Sequence, residues 1–275
     1  MKATMSFADL ELARRLERAE GFAGAQFAAA RARLFPESGS TWTECAGATL
    51  IFDGADAPTT QTFGLGLFDE ATGDALDEIE QFFSTRGAET MHEVCPLAGP
   101  AVLDRLCERG YRPFEISNVL YRAVEPPPVA HAPNISIRII ASDEAGLWSN
   151  ISARGWTHEH PEFEDFVRQS GVLLAAREQS PCFLAELDGV PGAAGALVLH
   201  RGVALFGGAA TVPEMRRRGL QGALLEARMR HAVEQGCDLA MMVAEAGSNS
   251  QRNAERLGFR VAYTRIKWRL ARRTE

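Results

Sequence analysis

Apolar positions recur at two periods along this chain, and each change of period marks the border of an element. From Phe7 to Leu34 apolar and charged residues follow helical spacing, in an Ala- and Arg-rich stretch that predicts opening helices. Ser84–Ala123 reads as a helix end, a strand over Thr90–Cys95 and a helix over Pro100–Arg109. The step Gly110-Tyr111-Arg112 and a strand ending Leu120-Tyr121-Arg122 follow. Gln235–Ala271 repeats that order: a helix end, a strand over Leu239–Ala244, a helix over Ser248–Arg256, then Gly258-Phe259-Arg260 and a strand ending Lys267-Trp268-Arg269. The two anchor glycines are 148 residues apart. Matched order and spacing predict an internal duplication.

Between these repeats Ile135–Ile140 alternates as a strand. Ser142 offers an N-cap to a helix reaching about Arg154, with Asp143 and Glu144 in its first turn. A second helical region covers Pro161–Ser170, and Trp148 and Phe166 read as core. Cys182–Leu187, the turn Asp188-Gly189 and Val190–His200 predict a hairpin. Arg201-Gly202 turns the chain again into a strand over Val203–Val212, and a helix runs from Arg218 or Gly219 to about Gln235. The expected fold class is α/β: two tandem domains, each a mixed, mostly antiparallel sheet flanked by helices. Four prolines within Glu125–Pro133 favour an extended segment that joins neither a helix nor a sheet centre. The predicted division is therefore 1–125, a linker over 126–134, and 135–275.

A chain of 275 residues, 46% hydrophobic and 24% charged, has apolar material for real cores and is no disordered or fibrous protein. No stretch reaches the ~18 apolar residues of a membrane helix, and Met1–Glu20 lacks the apolar core of a signal peptide. The expectation is a cytoplasmic protein without membrane attachment. Five scattered cysteines with no CxxC pair read as thiols in a reducing compartment. A net charge of −7 argues against nucleic acid as a partner. The charge is uneven: residues 1–133 carry 11 basic and 20 acidic side chains, the remainder 18 and 16. An anionic ligand suits the second half.

The segment Thr211-Val212-Pro213-Glu214-Met215-Arg216-Arg217-Arg218-Gly219-Leu220-Gln221-Gly222-Ala223 follows a strand and opens a helix with Leu220, Leu224 and Ala227 along one face. Three arginines before a helix N-terminus oppose the macrodipole by ~0.3–1 kcal/mol each. They become sensible if an anion rests on that terminus, where free amides point at it and Gly219 and Gly222 permit a close approach. A solvated basic turn is the bland alternative.

Arg216-x-x-Gly219-x-Gln221-Gly222-Ala223 resembles the Q/R-x-x-G-x-G/A signature of the GNAT superfamily of N-acetyltransferases, with Gln221 at a position usually Gly or Ala. Val203–Val212 resembles that family's fourth strand, and Asn253–Phe259 the end of its last helix with the Gly-Phe turn. The likeness covers about Ile135–Leu270. It implies that acetyl-coenzyme A is the co-substrate, held by Ala210, Thr211, Val212, Arg216, Arg217, Arg218, Gly219, Gln221, Gly222 and Ala223, with Asn253 at the coenzyme as well. Many members carry a tyrosine, the acid for the leaving thiolate, where this chain has Ala254.

The implied function is an enzyme, an N-acetyltransferase in which a primary amine of a small molecule or peptide attacks the thioester directly. Glu245, after the Leu239–Ala244 strand, is the expected general base; Ser248 and Ser250 are either near the thiol or helix-capping residues. His158 and His160 would shape the acceptor pocket. Their His-x-His spacing also fits zinc, but no second ligand cluster follows, so no metal is expected. In the first half Phe68–Asp74 falls where the second has its arginines, and Asp69, Glu70 and Asp74 would repel a diphosphate. Residues 1–125 therefore read as a copy without a coenzyme site. Two other readings stay open: a non-catalytic acyl-CoA sensor, and an unrelated nucleotide-binding protein that uses the same arginine loop. Oligomeric state is not legible.

Overall fold

The computed structural model describes residues 7–127, 132–157 and 161–270. In chain order the elements are α1 (Leu10–Leu34), β1 (Thr41–Cys45), β2 (Ala48–Phe52), β3 (Gln61–Phe63), α2 (Gly73–Ser84), β4 (Thr90–Val94), α3 (Pro100–Glu108) and β5 (Arg112–Ala123). There follow β6 (Ile135–Ile139), α4 (Ala145–Trp156), α5 (Glu164–Ala175), β7 (Cys182–Leu187), β8 (Val190–His200), β9 (Val203–Thr211) and α6 (Leu220–Glu234). Last come β10 (Leu239–Glu245), α7 (Asn249–Arg256) and β11 (Arg260–Leu270). Where the sequence suggested several opening helices there is one, started by the Asp9 carboxylate accepting from the Leu12 amide at 2.9 Å.

By contacts the chain divides into Met1–Arg122 with Met241–Glu275, and Ala123–Ala240. In the first unit the strand order is β1-β2-β3-β4-β11-β5-β10. β3 and β4 run parallel, while β1–β2, β2–β3, β4–β11 and β11–β5 are antiparallel. One face of this sheet packs Leu50, Phe52, Val94 and Trp268 against Leu76, Ile79 and Phe83 of α2 and Leu106 of α3. On the other face Ala28 of α1 meets Ile51 and Phe63. The expected second domain, 135–275, thus differs at its end. β11 inserts between β4 and β5, with Ile266 opposite both Val94 and Ile116. Its alternation explains the choice: Ile266 and Trp268 enter the α2–α3 core, while Arg265 faces the acids of α1. Of the expected linker, residues 128–131 lie outside the described residues.

The second unit has the antiparallel order β9-β8-β7-β6. Asp188 and Gly189, at φ +53° and +78°, form the predicted two-residue turn between β7 and β8. Trp148 and Ile151 of α4 pack with Cys182, Leu184, Ala194 and Ala196, and Leu174 of α5 joins them. The next residue on β8, Gly195, faces α6 instead, against Leu224 and Arg228. Helices therefore cover both faces of this small sheet.

The two repeats share geometry as well as order. At the end of α3 the amides of Gly110 and Tyr111 donate to the carbonyls of Cys107 and Leu106 at 3.0 and 2.9 Å. At the end of α7 Gly258 and Phe259 donate to Glu255 and Ala254 at 3.0 and 3.1 Å. Both glycines are left-handed, at φ +85° and +84°, the conformation such helix endings require. No helix among the described residues is long and apolar enough to cross a membrane.

Candidate active site

β9 delivers the chain to the predicted loop. Ala210 and Thr211 pair with Ala194 and Ala193, and Val212 donates its amide to the Gly192 carbonyl at 2.9 Å. All three are buried. A single turn over Pro213–Met215 then leads into three exposed arginines. Arg217 and Gly219 both take positive φ, +63° and +89°, which turns the chain sharply into α6.

Gly219 is the N-cap of α6, and no side chain accepts from the amides of the first turn. Those amides carry the positive end of the helix dipole. A Cβ on Gly222 would meet nothing within 4 Å, whereas one on Gly219 would touch Ile135 Cδ1 at 3.4 Å and be strained by its φ. The two glycines therefore do different work: Gly219 makes the turn, and Gly222 leaves the helix surface open. Gln221, the departure from the family pattern, has its own role. Its amide Nε2 donates to Thr211 Oγ1 at 2.7 Å and ties the start of α6 to the end of β9.

The three guanidinium groups separate likewise. Arg216 is tied to the backbone, with Nε donating to the Thr211 carbonyl at 3.3 Å and Nη2 to the Gly155 carbonyl at 3.1 Å. It links the last turn of α4 to the loop. Gly155 permits that approach, because a Cβ there would lie 2.7 Å from Ala210 Cβ. Arg217 and Arg218 stay at the surface. Glu214 pairs with Arg154.

The other expected residues are carried by other elements. Glu245, the last residue of β10, and Asn253, on α7, are exposed and belong to the first unit. Ser248 is the N-cap of α7, its Oγ accepting from the Gln251 amide at 3.2 Å. Ala254 is buried as part of the helix ending. His158 and His160 lie outside the described residues. Trp148 is wholly buried and donates to the Phe183 carbonyl at 2.9 Å, but Phe166 is 42% exposed and is not core. Among the described residues no group of His, Cys, Asp or Glu could hold a metal ion.

The equivalent loop of the first unit is built otherwise. Thr72 caps α2, its Oγ1 accepting from the Ala75 amide at 3.2 Å. Glu70 pairs with Arg105 at 2.6 Å, Arg105 also donates to the Ala71 carbonyl, and Arg14 donates to the Leu67 carbonyl at 2.6 Å. This loop is filled by the protein's own side chains.

A buried residue escaped the sequence reading. Arg228 is 2% exposed on α6, while Ala227, expected on the inner face, is only half-buried. The fourfold spacing Leu220, Leu224, Arg228 was the available signal.

The family model described as acetyltransferase (GNAT) family matches residues 146–259. No curated protein shows significant sequence similarity to the chain. Among solved structures, a GCN5-related N-acetyltransferase from Kribbella flavida superposes with a TM-score of 0.64 at 20% identity, over 90% of this chain and 95% of that one. A tandem GNAT protein from the clavulanic acid biosynthesis pathway gives 0.57 at 14% identity, over 83% and 79%. A GCN5-related N-acetyltransferase from Sphaerobacter thermophilus gives 0.52 at 16% identity, over 81% and 80%. The fold is theirs, and residues 146–259 of this chain match the model of the acetyltransferase (GNAT) family.

Proposed function

We propose that the protein transfers an acetyl group from acetyl-CoA to a primary amine of a small molecule or peptide. The carrying observation is the start of α6: a left-handed glycine as N-cap, no side-chain cap, open space at Gly222 and exposed Arg217 and Arg218. A coenzyme diphosphate supplies the anion that such a terminus lacks, and guanidinium groups add charge-assisted bonds to its oxygens. The start of α2 is capped by the Thr72 side chain and lined by acids in place of arginines, so the first unit is read as a copy without a coenzyme site.

In the reaction the amine nitrogen attacks the thioester carbon, the C–S bond breaks and coenzyme A leaves as the thiolate. An amine of pKa about 10 is about one part in a thousand neutral at pH 7, a barrier near 4 kcal/mol. Glu245 is the proposed base for that proton, a role worth about 10²- to 10⁴-fold. Holding amine and thioester together contributes as much or more. With Ala254 buried at the usual tyrosine position, the thiolate takes its proton from solvent or from the protonated nitrogen of the tetrahedral adduct.

That alanine favours a second reading, an acyl-CoA sensor without turnover. Titration calorimetry with acetyl-CoA and a thiol-release assay against a panel of amines separate the two. Binding with thiol release supports the transferase, binding without release for every amine supports the sensor, and no binding removes both.

A further inference from the structure

Glu245 ends β10 and opens a turn. Its carbonyl accepts from the Ser248 amide at 3.2 Å. Gly247, the third residue of the turn, is left-handed at φ +78°, a conformation that glycine adopts without strain. Ser248 then caps α7. Ser248 and Gln251 have the spacing of a capping box, in which the later side chain reaches back to the N-cap amide. Here the turn already uses the Ser248 amide, and Gln251 Oε1 accepts from Gly247 instead, at 2.7 Å. The turn that carries Glu245 is therefore closed twice.

The orientation of the Gln251 amide is set by its partners. Glu255, one helical turn on, has a carboxylate that only accepts, so it takes Gln251 Nε2 at 2.8 Å. Oε1 is left facing the Gly247 amide and Asn118 Nδ2, the latter at 3.1 Å. Asn118 on β5 lies opposite Thr264 on β11, and the Thr264 hydroxyl donates to its Oδ1 at 2.7 Å. An asparagine 7% exposed within a sheet is costly to bury unless its amide is bonded. These bonds form one line. From Thr264 through Asn118 and Gln251 to the Gly247 backbone, side chains tie the turn to two strands.

We infer that Gln251, oriented by Asn118 and Glu255, is a positioning residue for acyl transfer: it fixes the turn on which the Glu245 carboxylate is carried. The inference rests on the reading of Glu245 as the base. In that step the carboxylate takes a proton from the ammonium of the acceptor. The N–H bond breaks, its electron pair stays on nitrogen, and the neutral amine attacks the thioester carbon. A base acts only within hydrogen-bond reach of that proton, about 2.6–3.2 Å. An error of about 1 Å in placement costs about 100-fold. A glutamate on a loose turn samples many positions, and one on a clamped turn few. Gln251 acts through the Gly247 amide and takes no proton itself.

The test uses full-length protein, acetyl-CoA and an accepted amine, with kcat from thiol release and affinity for coenzyme A from calorimetry. Gln251→Met removes the amide and is expected to lower kcat at least about tenfold, with affinity within about threefold of the wild type. Gln251→Glu keeps an acceptor for Gly247 and Asn118 and should hold kcat within about threefold as well. The deciding measurement places Gln251→Met in a Glu245→Gln background. A residue that only positions the carboxylate costs nothing once the carboxylate is gone, so the double variant should match Glu245→Gln within about twofold. If Gln251→Met does not fold, Asn118→Asp, which cannot donate to Gln251, takes its place in the same comparison. Wild-type kcat in the variant, an equal loss in both backgrounds, a loss of affinity as large as that of kcat, or a Gln251→Glu variant as slow as Gln251→Met each overturns the inference. Glu245→Gln as fast as the wild type overturns the base reading instead, and this inference with it. No thiol release by the wild type with any amine overturns the transferase reading itself.

Discussion

At the scale of single residues, the two glycines of the loop separate a test of binding from a test of folding. Gly219 sits at φ +89°, so any side chain there strains the backbone whatever its effect on a ligand. Gly222 is helical with open space beyond it. Gly222→Val is therefore expected to leave thermal stability near that of the wild type, and to weaken acetyl-CoA at least about tenfold by calorimetry. Wild-type affinity in that variant would remove the anion from the start of α6. Glu245 is exposed at the end of β10. Glu245→Gln should lower kcat about 100-fold with an accepted amine and leave coenzyme affinity and Tm unchanged. A variant as fast as the wild type would assign the proton to another group.

Among the elements, the two helix starts show what the sequence disclosed and what it withheld. That α6 begins within a residue or two of Gly219, and that its counterpart in the first half is acidic, were both legible, because glycine, arginine and aspartate state their preferences locally. The capping of α2 by Thr72 follows from the same local chemistry. Thr72→Ala should lower stability by about 1 kcal/mol in denaturant unfolding, with coenzyme affinity unchanged. A loss of coenzyme affinity would show that the first unit does contribute to binding. Other features needed partners distant in sequence. The helical region reads only to Ser170, yet α5 continues to Ala175, where Gly171 lies against Ser149, whose hydroxyl donates to the Arg168 carbonyl. Arg216 reads as a phosphate ligand, and nothing near it in sequence announces its bond to the Gly155 carbonyl. Arg228 was hidden for a similar reason: an arginine within a helix reads as surface until the strand beneath it is known.

For the whole molecule, the decisive surprise is where the chain ends. β11 closes the first unit between β4 and β5, and it does so with charge as well as with apolar surface. Arg265, 1% exposed, meets Glu17 at 3.3 Å and Glu20 at 2.6 Å on α1 and Glu93 at 2.8 Å on β4. Tyr263 donates to Glu17 at 2.8 Å. One guanidinium cannot balance three carboxylates, and burial raises Glu17 from its ordinary 4.5 to about 7, with Glu20 and Glu93 adding to the effect and Arg265 and Tyr263 opposing it. Such a group binds its proton more tightly in the folded chain than in the unfolded one. Its contribution to stability is therefore fully present below about pH 4.5 and falls as the pH rises to about 7. Glu17→Gln is neutral throughout. Relative to the wild type, its unfolding free energy should improve across that window and level off above it, as read from urea unfolding at a series of pH values. A difference that does not vary with pH would mean that Glu17 is ionised in the native state. Arg265→Met leaves the buried Glu17 and Glu93 and the half-buried Glu20 without their cation. It should cost at least about 3–5 kcal/mol at pH 8 and less as the pH falls and those carboxylates take up protons. Because β11 belongs to the second repeat by sequence and to the first unit by contact, this loss should strip protection from β4 and β5 in hydrogen exchange before it reaches β7 and β8. Uniform loss over all four strands would show that the two units unfold as one.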